Sequence, residues 1–436
     1  MRKKLITVGL TIFALSAVLY GYIMYQEHGK IIPFIGQLSK DQIPDNGDIQ
    51  PESQKNANYV GSDKCKKCNE EQFGEWQGSR HSKMIQDIKK DPSAIVGDFS
   101  TLPSDANFKK EDIVYTIGGK FKQRYMMKAD INGTQDYVVG NYEWNSETKK
   151  WQEFKTWKYW YEESFEHNNS KVGTSKTCDG CHFTGYMSQE KRVEPAISCE
   201  ACHGPASNHV MDPEKNPIYK ASNADPKRAT EVCLQCHMRN RDKRLDDVNA
   251  STLFGDVRDY PKGYEPGKPL SHYKKVAPFD HNESDEFYGN GSGKKNRTQG
   301  NEYVKSMMYK HGITCSNCHS PHKLDNTSTK TLGDAACMKC HSFGSPIGPH
   351  QQTIEQHTHH KAGSKGSSCI ECHMPKTGKH TKESPLSVRT HIFGFVSPAD
   401  TKKYKVPNAC TNCHKDKSLD WADQSLAKWG MSQWTK

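Results

Sequence analysis

The chain has 436 residues, of which only 33% are hydrophobic, and it carries a formal net charge of +10. Its mean hydropathy is −0.90. These values exclude an interior made of aliphatic layers alone, because a chain this polar cannot bury enough apolar surface to offset its loss of conformational entropy. Part of the core must therefore come from something other than aliphatic side chains.

The first predicted element is an apolar segment at the amino terminus. Residues 5–25 carry no charged side chain and follow three basic residues. A helix of this length spans a hydrocarbon layer of about 30 Å, and basic residues before it favour an inside amino terminus with an exported body. We therefore predict a signal anchor or transmembrane helix at residues 1–27, in the cytoplasmic membrane, with the body in the periplasm or another extracytoplasmic space. A cleaved signal peptide is the alternative, although the apolar run continues past its weak cleavage site at Ala14 and Ser16.

Three further regions follow this segment. Residues 28–58 are polar, charged and proline-containing, which is typical of a flexible linker. Residues 59–165 combine the first cysteine pair with a stretch rich in Tyr, Trp and Val, and its turn signals predict a small antiparallel β insertion near residues 111–161. Residues 166–436 are predicted to be mainly short α-helices and loops that join the remaining cysteine motifs.

All 16 cysteines of the chain fall in Cys-x-x-Cys pairs. The pairs are Cys65/Cys68, Cys178/Cys181, Cys199/Cys202, Cys233/Cys236, Cys315/Cys318, Cys337/Cys340, Cys369/Cys372 and Cys410/Cys413. A histidine follows seven of them at once: His182, His203, His237, His319, His341, His373 and His414. Cys-x-x-Cys-His is the attachment signature of c-type haem, in which two thioethers hold the porphyrin and the histidine is the proximal iron ligand.

The repetition of this signature separates haem from simpler explanations. One such motif could be half a zinc site, a redox dithiol or a disulfide, but none of these requires a histidine after each second cysteine. We expect eight haem c groups, seven of them at complete motifs. Porphyrin plates then supply the missing apolar core, so the predicted fold class is a haem-organised, mainly α and loop-rich cytochrome c.

Haem also changes the charge and the partners expected. Two propionates per haem add about −16 to the formal charge, which brings the protein near −6 and excludes nucleic acid as a partner. Closely spaced motifs place adjacent porphyrins near contact, and electrons can then hop between irons. The expected partners are therefore other redox proteins, with a quinol-linked donor and a terminal reductase or extracellular acceptor. A homo-oligomer is also compatible with the sequence.

An iron that only carries electrons needs a second axial ligand. The chain has 21 histidines, and subtracting the seven of the motifs leaves fourteen. Local pattern singles out six as candidate distal ligands: His81, His209, His322, His357, His360 and His391. Bis-histidine ligation is the expectation for most haems, since a saturated iron cannot bind a substrate.

Six segments resemble a group of bacterial multihaem cytochromes c, some of which continue into tetratricopeptide repeats. The segments are YVGSDKCKKC, WQGSRH, CEACHGPASNH, MMYKHGITCSNCHSPHKL, SSCIECHMPKTG and PNACTNCHKDKSLDWA. They run from Tyr59 to Trp421, and the repeats are not matched. The wider relatives are the pentahaem nitrite reductases and the octahaem hydroxylamine oxidoreductase and tetrathionate reductase types. The resemblance implies a mostly helical fold in which haems stack in parallel and at right angles.

The first pair is irregular because Asn69 stands where the proximal histidine is expected. In the nitrite reductases the first motif carries lysine, and that haem is the catalytic one. Three readings stay open for this chain. The iron could take histidines from elsewhere, His81 among them; it could be open and reduce a small oxyanion; or the pair could form a disulfide in a heptahaem protein. The candidate catalytic residues for the second reading are Asn69, Lys67, Arg80 and His81.

The function predicted from these features is electron transfer in anaerobic-type respiration outside the cytoplasm. A reductase of nitrite, hydroxylamine or tetrathionate at the first haem is the main alternative, and a cytochrome filament subunit is a third. Catalysis is disfavoured because the stretch from Gln299 to Glu302 lacks the histidine that the nitrite reductases place there.

Overall fold

The computed structural model describes residues 47–131, 133–154, 173–242, 260–276, 286–323, 333–346, 348–349 and 353–431. All of them belong to one of two units of the chain, Ile43–Lys436. The helices are α1 (Ser62–Lys66), α2 (Glu70–Gln77), α3 (Thr174–Thr177), α4 (Asp179–His182), α5 (Tyr186–Gln189), α6 (Cys199–His203), α7 (Ser207–Met211), α8 (Pro226–His237), α9 (Gln299–Tyr303), α10 (Met307–Lys310), α11 (Cys315–Cys318), α12 (Ala335–Met338), α13 (Ile354–Thr358), α14 (Cys369–His373), α15 (Pro398–Tyr404), α16 (Ala409–Cys413) and α17 (Leu419–Lys428).

The larger sheet has six antiparallel strands in the order β1-β2-β3-β5-β6, with β4 also paired to β3. Its strands are β1 (Ile85–Asp87), β2 (Ile113–Gly118), β3 (Lys122–Ile131), β4 (Thr134–Val139), β5 (Tyr142–Asn145) and β6 (Lys150–Glu153). Three two-stranded sheets are formed by β7 (Phe183–Thr184) with β8 (Glu194–Pro195), β9 (Asn240–Asp242) with β10 (Lys274–Val276), and β11 (Lys376–Gly378) with β12 (Val388–Arg389). The antiparallel sheet expected near residues 111–161 is therefore present, with β1 added before it.

The two faces of the larger sheet pack against different partners. Because side chains alternate along a strand, Tyr125 and Met127 of β3 point into an aromatic cluster of the insertion that includes Phe108 and Trp144. Met126 between them points the other way, into a core cluster that contains Cys181 of the second motif. The second motif thus packs against the Met126 face of the larger sheet.

A pair of ion pairs through Arg192 joins the second motif to the larger sheet. The guanidinium of Arg192 contacts the carboxylate of Asp136 on β4 and that of Asp179 on α4. Asp179 lies between the two cysteines of its motif and is fully buried. Removal of one member would leave an uncompensated charge in the interior, so the bridge fixes the motif relative to the sheet.

Helix α8 carries both cysteines of the fourth motif. It begins with Pro226 at its first position, and the side chain of Asp225 accepts hydrogen bonds from the backbone of Lys227 and Arg228 at 3.0 and 3.1 Å. The buried guanidinium of Arg228 pairs with Glu231 and donates to the carbonyl of Gly47 at 2.7 Å. These contacts anchor the helix that ends in the fourth motif.

The prediction of an amino-terminal transmembrane helix is corrected. No helix within the described ranges is long and apolar enough to cross a membrane. The longest, α8, has 12 residues, and at 1.5 Å per residue it extends about 18 Å against a hydrocarbon layer of about 30 Å. Residues 1–27, on which that prediction fell, lie outside the described residues, as does most of the linker predicted at 28–58. The predicted domain boundaries stay predictions.

The buried amide of Gln123 provides a test of the sheet. Its nitrogen donates to the carbonyl of Ala94 at 2.7 Å, and its oxygen accepts from the backbone of Val96 at 2.8 Å. We expect Gln123→Ala to lower the opening free energy of β2 and β3 by about 1 to 3 kcal/mol, because buried groups lose their partners. Amide hydrogen exchange should then be roughly fivefold faster or more in these strands. The exposed Gln135→Ala serves as the control, and unchanged exchange in Gln123→Ala would contradict the assigned role.

Candidate haem-binding sites

Each cysteine pair lies on a single helical turn. The backbone nitrogens of His319, His341 and His414 donate to the carbonyls of the first cysteines of their motifs at 2.9, 2.9 and 2.8 Å. The turn brings both thiols and the following imidazole to neighbouring positions on one side. None of the sixteen cysteines is joined to another by a disulfide, so the structure gives no support to a disulfide within the first pair.

Five of the seven motif histidines face a second histidine ring. The ring centres are 6.2 Å apart for His81 and His237, 6.3 Å for His203 and His322, 6.3 Å for His319 and His391, 6.2 Å for His357 and His373, and 6.1 Å for His360 and His414. Two metal–imidazole bonds of about 2.0 Å each, added to roughly 1.1 Å from each nitrogen to its ring centre, separate two ring centres by about 6.2 Å. The five pairs have the spacing that an iron between two imidazoles requires.

Hydrogen bonds orient one ring in four of these pairs. The Nδ1 atoms of His81, His203, His360 and His391 lie 3.1, 2.9, 2.6 and 3.1 Å from the carbonyls of Pro321, Tyr219, Thr358 and Arg389. An Nδ1–H that donates to a carbonyl leaves Nε2 as the atom able to bind a metal. Burial lowers the pKa of both His237 and His391 to about 4, which keeps these rings in the neutral form that ligates iron. The residues therefore fit haem.

A zinc site does not fit the same residues. In the part of the chain that the structure describes, no three His, Cys, Asp or Glu side chains gather as a metal ion would require. Structural zinc takes four protein ligands, whereas two imidazoles on opposite sides complete a haem iron.

Cysteines of different motifs lie beside one another. The thiols of Cys65 and Cys199 are hydrogen-bond neighbours, as are those of Cys181 and Cys236, Cys233 and Cys315, and Cys337 and Cys369. Electrostatic neighbours at longer range are Cys202 with Cys233, Cys318 with Cys337 and Cys340, and Cys372 with Cys410 and Cys413. These contacts place the first, third, fourth, fifth, sixth, seventh and eighth motifs in one series, and attach the second motif to the fourth as a branch.

The second motif differs from the paired ones. Its histidine, His182, is half-buried, its buried Nδ1 has no hydrogen-bond partner, and no imidazole of the described residues faces it. Burial, followed by the charges of Arg297 and Arg124, lowers the pKa of His182 to about 3. His341 of the sixth motif is not comparable, because it has contacts of its own and lies near His373.

A group of cations on the sheet lies beside this motif. Lys122 and Arg124 alternate with Gln123 on β3, so they share the face of Met126 that meets the second motif. Arg124 donates to Glu143 at 2.7 Å, and Lys122 lies 3.7 Å from the same carboxylate. Burial and the charge of Arg124 lower the pKa of Lys122 to about 7, although Glu143 opposes this shift.

The four candidate catalytic residues of the first motif are not brought together. Lys67 and Asn69 are exposed beside Cys68. The guanidinium of Arg80 lies 5.4 Å from the ring centre of Phe121, on which His380 stacks at 3.7 Å. His81 faces His237 of the fourth motif instead.

The remaining candidate distal ligand is His209, which faces no other histidine within the described ranges. His380, which lies just after β11, was not predicted from the sequence. Lys122 and Arg124 were not predicted either, since charged residues in a β insertion look like solvated surface. Only the alternation along β3 could have indicated which face they share.

Comparisons with known proteins agree with this geometry. Residues 64–112 and 139–204 match the model of the family described as cytochrome c554 and c-prime. The multihaem cytochrome MtrA of Shewanella baltica is 23% identical over 167 residues, which cover 36% of this chain and 46% of that protein. The dissimilatory sulfite reductase MccA of Wolinella succinogenes is 21% identical over 408 residues, which cover 73% of this chain and 50% of that protein. The chain thus spans about half the length of the curated relatives it matches.

A solved structure shares the fold. The outer cell wall cytochrome OcwA superposes with a TM-score of 0.65 and 24% identity, covering 85% of this chain and 86% of that one. With the repeated motifs and the paired imidazoles, these matches identify the chain as a multihaem cytochrome c with covalently bound haem c.

Proposed function

We propose that this protein carries electrons outside the cytoplasm through eight haem c groups arranged as one series with one branch. The five imidazole pairs at 6.1 to 6.3 Å carry this proposal. An iron held between two imidazoles has no free position for a substrate, so such a site exchanges electrons only.

The neighbouring cysteines support the series. Each thiol is bonded to the rim of its porphyrin in a c-type cytochrome, so thiols in contact bring two porphyrin rims together. The first and eighth motifs lie at the two ends of the series and carry the exposed cysteines Cys68 and Cys413, and Cys340 of the sixth motif is exposed as well. Cys181 of the branch is buried. Electrons would enter and leave at the exposed ends.

The extracytoplasmic location and the redox partners are part of the same proposal. One relative of the same fold is named an outer cell wall cytochrome, which supports a place beyond the cytoplasm. A donor linked to the quinol pool and an acceptor such as a terminal reductase or an extracellular oxidant would suit a chain whose haem series is exposed at both ends.

The pair of His203 and His322 tests bis-histidine ligation. Removal of one imidazole opens one iron, so we expect reduced His322→Ala holoprotein to bind one more carbon monoxide per chain than the wild type, at unchanged haem content. The difference spectrum with carbon monoxide and the pyridine haemochrome absorbance measure these two quantities. His272→Ala is the matched control, because His272 faces no motif histidine in the described part of the chain. Equal carbon monoxide binding in His322→Ala and wild type would show that His322 is not a ligand.

A second candidate function is the reduction of a small nitrogen or sulfur oxyanion at the second motif. Its supporting observation is His182, which no imidazole of the described residues faces and which lies near the charges of Arg297 and Arg124. In this candidate the reductase site lies at the second motif and not at the first, because Lys122 and Arg124 beside the second motif could bind the anion. The role of these residues is to hold and neutralise the anion, and Lys122 next to Arg124 is the group able to give up a proton near pH 7.

Anion binding at the second motif has a predictable pH dependence. Lys122 is protonated below its pKa of about 7 and loses its charge above it, so affinity for sulfite or nitrite should fall as the pH rises through 7. The charges that face Lys122 are Arg124, Glu143 and Arg239, with His380 nearby. We expect Lys122→Met to weaken binding roughly tenfold at pH 6 and to flatten this dependence, since loss of about 1.4 kcal/mol corresponds to tenfold.

The measurement is a titration of the oxidised holoprotein with each anion, followed in the Soret band. The exposed Lys128→Met, farther along β3, should leave affinity unchanged. A spectrum that none of these anions alters would remove the reductase candidate and leave the electron carrier.

A further inference from the structure

We propose that His209 is the axial ligand of the haem held by Cys65 and Cys68, and that the Asn69 side of this iron has no protein ligand and accepts a small exogenous ligand. The inference rests on the proposed electron-transfer function and deepens it, since it assigns a ligand-binding iron to one exposed end of the series.

Asn69 occupies the backbone position of a proximal histidine without its chemistry. Its backbone nitrogen donates to the carbonyl of Cys65 at 3.1 Å, as the motif histidines do to their first cysteines. Its side-chain amide donates back to the same carbonyl at 3.1 Å. The side chain therefore closes its own turn, in the manner of a local side-chain to backbone bond, and is not directed toward an iron.

A buried carboxylate holds the segment before His209 against the segment before the first motif. Glu200 is fully buried and accepts hydrogen bonds from the backbone of Val60, Gly61 and Ala206 at 2.8 to 3.0 Å. Three charge-assisted bonds to one buried carboxylate make a rigid joint. The chain enters α1, which carries Cys65, directly after this joint.

Two further contacts extend the joint to the start of α7, the helix of His209. The backbone of Ser207 donates to the carbonyl of Asn58 at 3.0 Å, and the amide of Asn208 donates to the carbonyl of Ser53 at 2.8 Å. Residues 206–208 are therefore fastened to residues 53–61, and His209 comes next. The contact between Cys65 and Cys199 places the first and third motifs side by side at the same location.

The ring of His209 is oriented in the same way as the paired rings. Its Nδ1 lies 2.7 Å from the carbonyl of Asn216, which leaves Nε2 as the ligating atom. The other five candidate distal histidines face motifs four, three, seven, eight and five. These five pairs also leave the second and sixth motifs unassigned, but the joint fastens residues 206–208 to the segment directly before the first motif, so His209 is assigned to that motif.

Placing a histidine at position 69 tests whether the iron of the first motif is open on that side. We expect Asn69→His to supply the missing ligand, so that the reduced holoprotein binds one carbon monoxide fewer per chain than the wild type, with haem content unchanged. Lys64→His, at an exposed position just before the same motif, is the matched control and should leave the stoichiometry as it is. Unchanged carbon monoxide binding in Asn69→His would overturn the open face.

The assignment of His209 needs a separate readout. Resonance Raman spectra of the reduced wild type should contain the iron–histidine stretch of a five-coordinate haem, and the contribution removed by Asn69→His should also be absent from His209→Gln. Persistence of that band in His209→Gln would overturn the assignment.

Failure of this inference differs from failure of the proposed function. A wild-type content of seven haems would overturn the inference at once, because the first pair would then hold none, while the extra carbon monoxide bound by His322→Ala would still report on the electron carrier. Eight haems with an unaffected Asn69→His spectrum would overturn the inference alone.

Discussion

The fold depends on pairs of imidazole rings that come from distant parts of the chain and face each other at the spacing of two ligands on one iron. His81 follows the first motif yet faces His237 of the fourth, and His322 follows the fifth motif yet faces His203 of the third. A metal between two such rings joins segments that share few aliphatic contacts. This explains how a chain with 33% hydrophobic residues forms a closed interior from helices of four to twelve residues. Isolated helices of this length are marginal in water, so cofactor attachment and axial ligation must supply what helix packing does not.

The larger sheet adds a second kind of interior. One face is self-sufficient, with Phe99, Phe108, Tyr125 and Trp151 in edge-to-face and stacked contacts at 5.1 to 6.4 Å. The opposite face is finished by the second motif and by the bridge from Arg192 to two aspartates. An apolar face and a charged edge on the same side of β3 give the second motif surroundings that no other motif of the described chain has.

Much of the site could be predicted from sequence because its signals are local. The motif places the thiols and the proximal histidine within five residues. Sequence segments such as CHGPASNH and VRTHIF indicated candidates for the second axial ligand. Which motif each candidate serves could not be predicted, because His81 and His237 meet through tertiary structure alone. The sheet was predicted from its aromatic and β-branched residues, whereas β1, with three residues, carries too little periodicity to be recognised. The transmembrane prediction fell on residues 1–27, and no described helix supports it.

The contacts between motifs indicate which haem has a role other than conducting electrons. In the proposed series, electrons pass from the first motif to the eighth through the third and fourth without using the second. A haem on a branch adds no electron path between the first and eighth motifs. Electron transfer alone therefore does not explain the position of the second motif. Within the described residues no imidazole faces His182 of the branch, and the sheet sets Lys122 and Arg124 against the same motif. Paired imidazoles along the series and cationic side chains beside a branch motif are what a chain needs if it both conducts electrons and delivers them to a bound anion.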